Sequence, residues 1–298
     1  MFRKKIIIIC ALLNMFFAPY TVAQDIKQAI LFYGSGDYSF LMTNADNFSS
    51  KAGCGFGIGA GYEFQYKKFI VQTGVGFMYQ SCSLQLTDFS LDKNLIDTEG
   101  DSYIGHLKFM NNHENYKLGN INIPLLFGAR VGSLYILTGA KLGLNILGNS
   151  LMQSTVATTA TYPQFIDDFE NMPDHLLSQS KVSAEYPVKL ELNCSLSGEV
   201  GLFIGANPTS QSMRLSLFVD YGLLNVRNDA VADDLILDKI HGVPFEPVLN
   251  SFLLSNNMVG SKLNSFCIGV KFTYALGLKG SKYCHCQDYK DLNKKYRR

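Results

Sequence analysis

Residues 53–66 alternate without interruption, with Phe56, Ile58, Ala60, Tyr62, Phe64 and Tyr66 on one side and Gly55, Gly57, Gly59, Gly61, Glu63 and Gln65 on the other. A period of two puts these sets on opposite faces of a β-strand, one greasy and one nearly bare. Lys67-Lys68 then turns the chain into a second such strand over 69–80, with Phe69, Val71, Val75, Phe77 and Tyr79 against Gln72, Gly74, Gly76 and Gln80. The same pattern marks strands near 116–130, 134–147, 188–204, 214–225 and 262–274, and more weakly 29–42. The count is eight, and the connections alternate strictly between short and long. Strands with a lipid-facing side can satisfy every backbone N–H and C=O only by closing on themselves. The expected fold is therefore all-β, an eight-stranded antiparallel up-and-down transmembrane β-barrel with long extracellular loops.

A soluble sandwich or lipocalin-like barrel would reverse the faces, with bulk inside and polarity outside. Here the large residues share one face, while the other carries Gly and small polar groups that cannot fill a hydrophobic core. Hydrophobic residues make up 47% of the chain, and with Trp absent the 16 Tyr and 21 Phe must supply any interfacial girdle. The net charge of +1 and the scattered Lys and Arg give no nucleic-acid surface.

Three segments follow from the ends of the pattern. Residues 1–23 read as a signal peptide, with Arg3, Lys4 and Lys5, an apolar run from Ile6 to Ala18, and the small-residue site Thr21-Val22-Ala23. The run is shorter than the ~20 residues a membrane helix needs. Residues 24–276 form the barrel, and 277–298 a basic tail. Short turns face the periplasm in such barrels, so the location is the bacterial outer membrane, multi-pass, with both termini periplasmic.

The inward set pits Asp37, Glu63, Glu191, Glu199 and Asp220 against Arg130, Lys141, Lys189, Arg214 and Lys271. Eight strands enclose only enough room for their own side chains, and charges there must pair, so a plugged interior is expected in place of a pore. Function then falls to the loops. Pro163 to Asn171 has the spacing of a short helix, and Val231, Leu235, Ile236 and Ile240 repeat at helical spacing before Gly242. Their apolar faces suit capping of the barrel mouth.

Chemistry is sparse. Asp167, Asp168, Asp174 and His175 are the residue types of loop-borne acid–base catalysis, yet their spacing places no nucleophile, base and orienter together. No catalytic, cofactor-binding or metal residue is assigned, and a non-enzyme without cofactor is expected. Cys54 and Cys82 lie near the outer ends of paired strands, where a bulge near Ser81 would bring them into register for a disulfide. Cys194 and Cys267 read as ordinary strand residues. Cys284-His285-Cys286 offers three ligands where a structural zinc site takes four. The pairing of Cys54, Cys82, Cys284 and Cys286 stays open.

Asn122-Ile123-Pro124-Leu125-Leu126, Leu137-Thr138-Gly139-Ala140-Lys141-Leu142-Gly143, Tyr221-Gly222-Leu223-Leu224-Asn225 and Ile268-Gly269-Val270-Lys271-Phe272 together resemble the PorT-like outer-membrane β-barrel domain of Bacteroidota, over roughly residues 28–276. Pro124 suits a strand position whose missing N–H meets a gap or bulge. The resemblance implies an eight-stranded outer-membrane barrel, some members of whose family act in secretion, and it carries no site residues with it. The expected role is a non-enzymatic scaffold or accessory for protein partners in secretion or surface assembly, reached through the loops or tail. A loop-based surface adhesin or ligand receptor is the alternative. Outer-membrane lipid is the other expected partner.

Overall fold

The structure, a computed structural model, describes residues 26–163, 180–187, 192–204, 211–224, 234–238, 246–252 and 263–278. Thirteen strands are present in them: β1 (Ile26–Thr43), β2 (Phe48–Lys51), β3 (Gly53–Tyr66), β4 (Phe69–Leu86), β5 (Phe89–Ile96), β6 (Ser102–Val131), β7 (Leu134–Thr161), β8 (Ser180–Pro187), β9 (Leu192–Ile204), β10 (Gln211–Gly222), β11 (Ile236–Asp238), β12 (Pro247–Leu249) and β13 (Leu263–Leu278). Eight of them close a ring in the order β1-β3-β4-β6-β7-β9-β10-β13, every neighbour antiparallel. Closure is made by the longest register in β1, from Gln28↔Leu278 to Thr43↔Leu263. The chain is a transmembrane β-barrel.

Two of the short connections are tight. Lys67, at φ 52, and Gly132, at φ 63, take the left-handed conformation that two-residue hairpin turns require. The third, 205–210, lies outside the described residues. Pro124 sits in β6 where the β4–β6 ladder skips from Thr73↔Leu125 to Gly76↔Asn122 with no change of register. The missing proline N–H falls in that gap, and Pro124 keeps its place opposite Lys141 on β7.

The outer surface carries an apolar belt in which Ile58, Val75, Leu125, Phe127, Leu217 and Val270 are all exposed. Along β3 the belt runs from Tyr66 to Phe56, roughly the ten residues a tilted strand needs to cross hydrocarbon. Tyr66 and Phe69 mark its short-turn edge, and Tyr38 and Tyr221 its other edge.

Above that second edge the polarity of the wall inverts. On β4 the inward residues become Cys82, Leu84 and Leu86, all buried, and the outward ones Ser81, Ser83 and Gln85. The pleat does not slip, because β4 pairs β6 continuously from Gly76↔Asn122 to Leu86↔Asn112. On β7 the inversion coincides with a bulge. Register passes from Gly119↔Leu147 to Asn120↔Asn145, Ile146 and Leu147 are both exposed, and Met152 and Val156 then face inward. The cause is the change of solvent: inside lipid the apolar face must point out, and in water it must point in. Leu84, Leu107, Phe109, Tyr116, Met152 and Phe252 accordingly form a conventional hydrophobic core within the raised wall.

This arrangement corrects several expectations. Much of the sequence expected as long loops is strand: β4 continues to Leu86, β5 and the first half of β6 occupy 89–115, and β7 continues to Thr161. The helix expected around Val231–Ile240 is instead, over its described part, the short strand β11 paired with β12. Apart from Pro163, the helix expected at 163–171 lies outside the described residues. The barrel reaches Leu278, two residues into the segment assigned to the tail. No bulge brings Cys54 to Cys82. Cys54 faces outward and exposed, Cys82 faces inward and buried, and both are free thiols. Burial pushes the Cys82 thiol up to about 12, so it stays protonated. Cys194 and Cys267 are free strand residues, and Cys284 and Cys286 lie outside the described part.

The inversion can be read out by charge insertion. Leu125→Arg, in the belt, is expected to cost about 2–4 kcal/mol of folding stability in lipid. Asn115→Arg, outward on the same strand above the belt, is expected to leave stability within about 0.5 kcal/mol of the parent. Reversible unfolding in liposomes measures both.

Candidate functional site

The glycines of β3 receive the side chains of β1. A Cβ on Gly59 would meet the Tyr33 ring at 2.4 Å, one on Gly57 the Ser35 hydroxyl at 2.6 Å, and one on Gly55 the Asp37 carboxylate at 2.5 Å. Tyr135 likewise lies over Gly201 of β9, 2.5 Å from where a Cβ would stand. The bare face of the alternating pattern is thus the space in which longer lumen residues lie down.

Those residues build a paired interior. The Arg214 guanidinium bonds both carboxylate oxygens of Glu63, and Gln72 Nε2 donates to Glu63 Oε2 at 2.7 Å. Lys271 donates to Glu199, whose other oxygen accepts from the Tyr135 hydroxyl at 2.7 Å. Lys141 Nζ reaches Asp220 Oδ2 at 2.7 Å. Arg130 and Arg214 lie over the Phe203 ring, with guanidinium carbons 3.8 and 4.3 Å from its centroid. Ile70, Leu126, Tyr135 and Leu137 close the short-turn half, and the distal core closes the other. Between them a cavity of about 50 Å³, lined by Tyr33, Gln72, Asn122, Lys141 and Lys271 among others, has room for a few waters. Of the sequence-derived charged set, Lys189 and Glu191 lie outside the described residues, and Asp37 has no ion-pair partner among them.

At the other end, Glu114 organises a cap. Its carboxylate is fully buried and accepts from the Tyr116 hydroxyl at 2.6 Å, the Ser251 hydroxyl at 2.7 Å and the Phe252 backbone N–H at 2.7 Å. Three donors thus converge on one buried carboxyl group. They pin the segment after β12 to the barrel wall, and Asn250 extends the tie to Leu235 and Asp234. Leu235, Leu249 and Phe252 then pack into the distal core. Burial is the largest influence on Glu114 and raises its pKa above the ordinary carboxylate value despite these donors.

A second polar group lies on the raised wall. His106 of β6 places Nδ1 2.7 Å from Asp92 of β5 and Nε2 3.0 Å from the Thr161 hydroxyl of β7, so one imidazole ties three strands. The order of groups is that of a nucleophile, a base and its orienter. It stands on an open sheet face, with the Asp92 and His106 side chains 67% and 40% exposed, and water has free access to it. The sequence-derived candidates Asp167, Asp168, Asp174 and His175 lie outside the described residues.

Glu114, Ser251 and the Asp92–His106–Thr161 group escaped the sequence reading because each is assembled across distant strands. Only Glu114 left a trace, as an acid in phase with the apolar inward set Leu118 and Tyr116.

No family model matches the chain, and no curated protein does. Among solved structures it is similar to Ail, the attachment invasion locus protein of Yersinia pestis, solved in complex with the heparin analogue sucrose octasulfate. The identity is 10% and the TM-score 0.23, over 84% of this chain and 99% of that one. It is also similar to the P. putida toluene transporter TodX, at 9% identity and a TM-score of 0.17 over 89% and 92% of the two chains. The eight-strand ring rests on its own hydrogen-bond register and not on these likenesses.

Two variants test the packing. Gly59→Val drives a side chain into Tyr33 and is expected to destabilise the barrel by about 1–3 kcal/mol. Gly198→Ala, where a Cβ meets nothing within 4 Å, is expected to change little. For the cap, a carboxyl raised in the folded state contributes stability that is complete below the ordinary carboxylate range and is lost as pH rises through the raised value. Hydrogen-exchange protection at residues 246–252, taken relative to the intrinsic amide rates, is therefore expected to rise as pH falls through that raised value, and Glu114→Gln to remove this dependence.

Proposed function

We propose that the chain is an outer-membrane barrel that acts as a scaffold or accessory for protein partners in secretion or surface assembly, as a member of the PorT-like group of Bacteroidota. Residues 1–23 direct its export, the short turns and both termini face the periplasm, and the raised wall faces outward. The single observation that carries this reading is the division of the molecule into a packed lumen and a built-up distal wall. Among the described residues the interior is crossed by Glu63–Arg214, Glu199–Lys271 and Asp220–Lys141, which argues against an open pore. The structural investment lies instead in β5, β8 and the capped ends of β6 and β7, which the crossing of a membrane does not need.

The same raised wall also favours a surface adhesin or ligand receptor, since a rigid β-platform presents a fixed face to an external partner. Crosslinking in intact outer membranes, followed by mass spectrometry, separates the two. Capture of export or assembly components at the short-turn end is expected for the accessory. Capture only of external proteins or glycans at the distal wall, with normal protein export after removal of β5 and β8, would replace it with the receptor.

A further inference from the structure

The short-turn rim gathers basic residues. Lys27 of β1 stands opposite Gln65 of β3, whose side-chain amide donates to the Lys67 carbonyl, and the Arg130 backbone N–H donates to the Lys68 carbonyl at 2.7 Å. Lys27, Lys67, Lys68 and Arg130 are therefore contiguous along one arc of the rim, across β1, β3, β4 and β6. Among the described residues none of the four has a carboxylate within ion-pair distance. Glu63 and Glu199, the acids in this half of the lumen, are committed to Arg214 and Lys271.

Arg130 is held in place. Its Nε donates to the Gly132 carbonyl at 2.7 Å and its guanidinium lies over Phe203, which fixes the plane of the fork. Lys67 and Lys68 form the turn between two girdle aromatics, Tyr66 and Phe69, the latter 68% exposed, and the Lys67 ammonium stands 5.4 Å from the Tyr66 ring centroid.

We infer that this arc of the rim binds the phosphate of anionic lipid headgroups in the leaflet that meets the short turns, an inference that rests on the membrane placement proposed above. The charges are of one sign and sit where the apolar belt ends, which is the level of lipid phosphates. A phosphate can take the two turn lysines while its acyl chains lie along Tyr66 and Phe69, with Arg130 adding to the positive potential at the mouth of the lumen. A soluble acidic peptide would match the charges and leave those aromatics without a new contact.

The test uses the full chain in nanodiscs of phosphatidylcholine with and without phosphatidylglycerol, reading the association of spin-labelled phosphatidylglycerol relative to phosphatidylcholine. The parent is expected to prefer phosphatidylglycerol, and high salt to weaken the preference. The double variant Lys67→Asn/Lys68→Gln is expected to lose about fivefold of it per charge removed. Lys67→Arg/Lys68→Arg is expected to keep the preference, as is Lys108→Gln on the distal wall. Because Lys67 and Lys68 are exposed turn residues, retained heat-resistant migration in detergent shows that the variants still fold. Equal association of both lipids with the parent, or a preference unchanged in the double variant, overturns the inference alone. So does binding of polyglutamate in the absence of any lipid preference, which would assign the rim to an acidic protein. A chain that does not enter the disc overturns the membrane placement together with this inference.

Discussion

Every backbone amide in the belt must find its partner within the chain, because hydrocarbon offers none. That demand accounts for the ring, for its closure between β1 and β13, and for the tight turns at Lys67-Lys68 and Gly132-Ser133. It also explains why one proline is tolerated in a wall strand. Pro124 stands at the place where the β4–β6 ladder is already interrupted, so no N–H is missed.

Closure with only eight strands imposes the second constraint, a lumen that its own side chains must largely fill. The chain meets it by allotting volume unequally. β3 is stripped to glycine so that Tyr33, Ser35 and Asp37 can lie across it, and Gly201 does the same for Tyr135. Charged groups then occupy the middle in mutually neutralising pairs, in which Gln72 adds a hydrogen bond to Glu63 and Tyr135 one to Glu199, while Asp220 Oδ1 has no hydrogen-bond partner among the described residues. Burying such pairs is costly unless every oxygen is engaged, and the tyrosine and glutamine donors meet much of that requirement.

The strand count, the lipid-facing phase and the paired interior were all legible in the alternation, because a period of two is a direct consequence of backbone geometry. What misled was the assumption that apolar residues mark the same face throughout. Cys82, Leu84 and Leu86 continue the β4 pleat on the inward side, so a pattern read as the end of a strand was a change of surrounding medium. The segment near Ile236 carried helical spacing, but its short described part is held as a strand by β12 and by the Asn250 ties, a tertiary choice that local periodicity does not encode. Glu114 meets Ser251 and Phe252, and Thr161 joins the Asp92–His106 hairpin pair, only through packing of segments far apart in sequence, and no local pattern announces them.

The bulge at Ile146-Leu147 divides one continuous hairpin, β6–β7, into a part that belongs to the membrane and a part that belongs to the water above it. No hinge or linker separates the two, and the backbone ladder runs on from Val131↔Leu134 to Ile104↔Thr161, broken only by two register shifts. A load applied at the tip is therefore carried by many hydrogen bonds in parallel down to the turn at Gly132. The raised wall behaves as a mast stepped through the deck: whatever engages it pulls on the barrel as a whole.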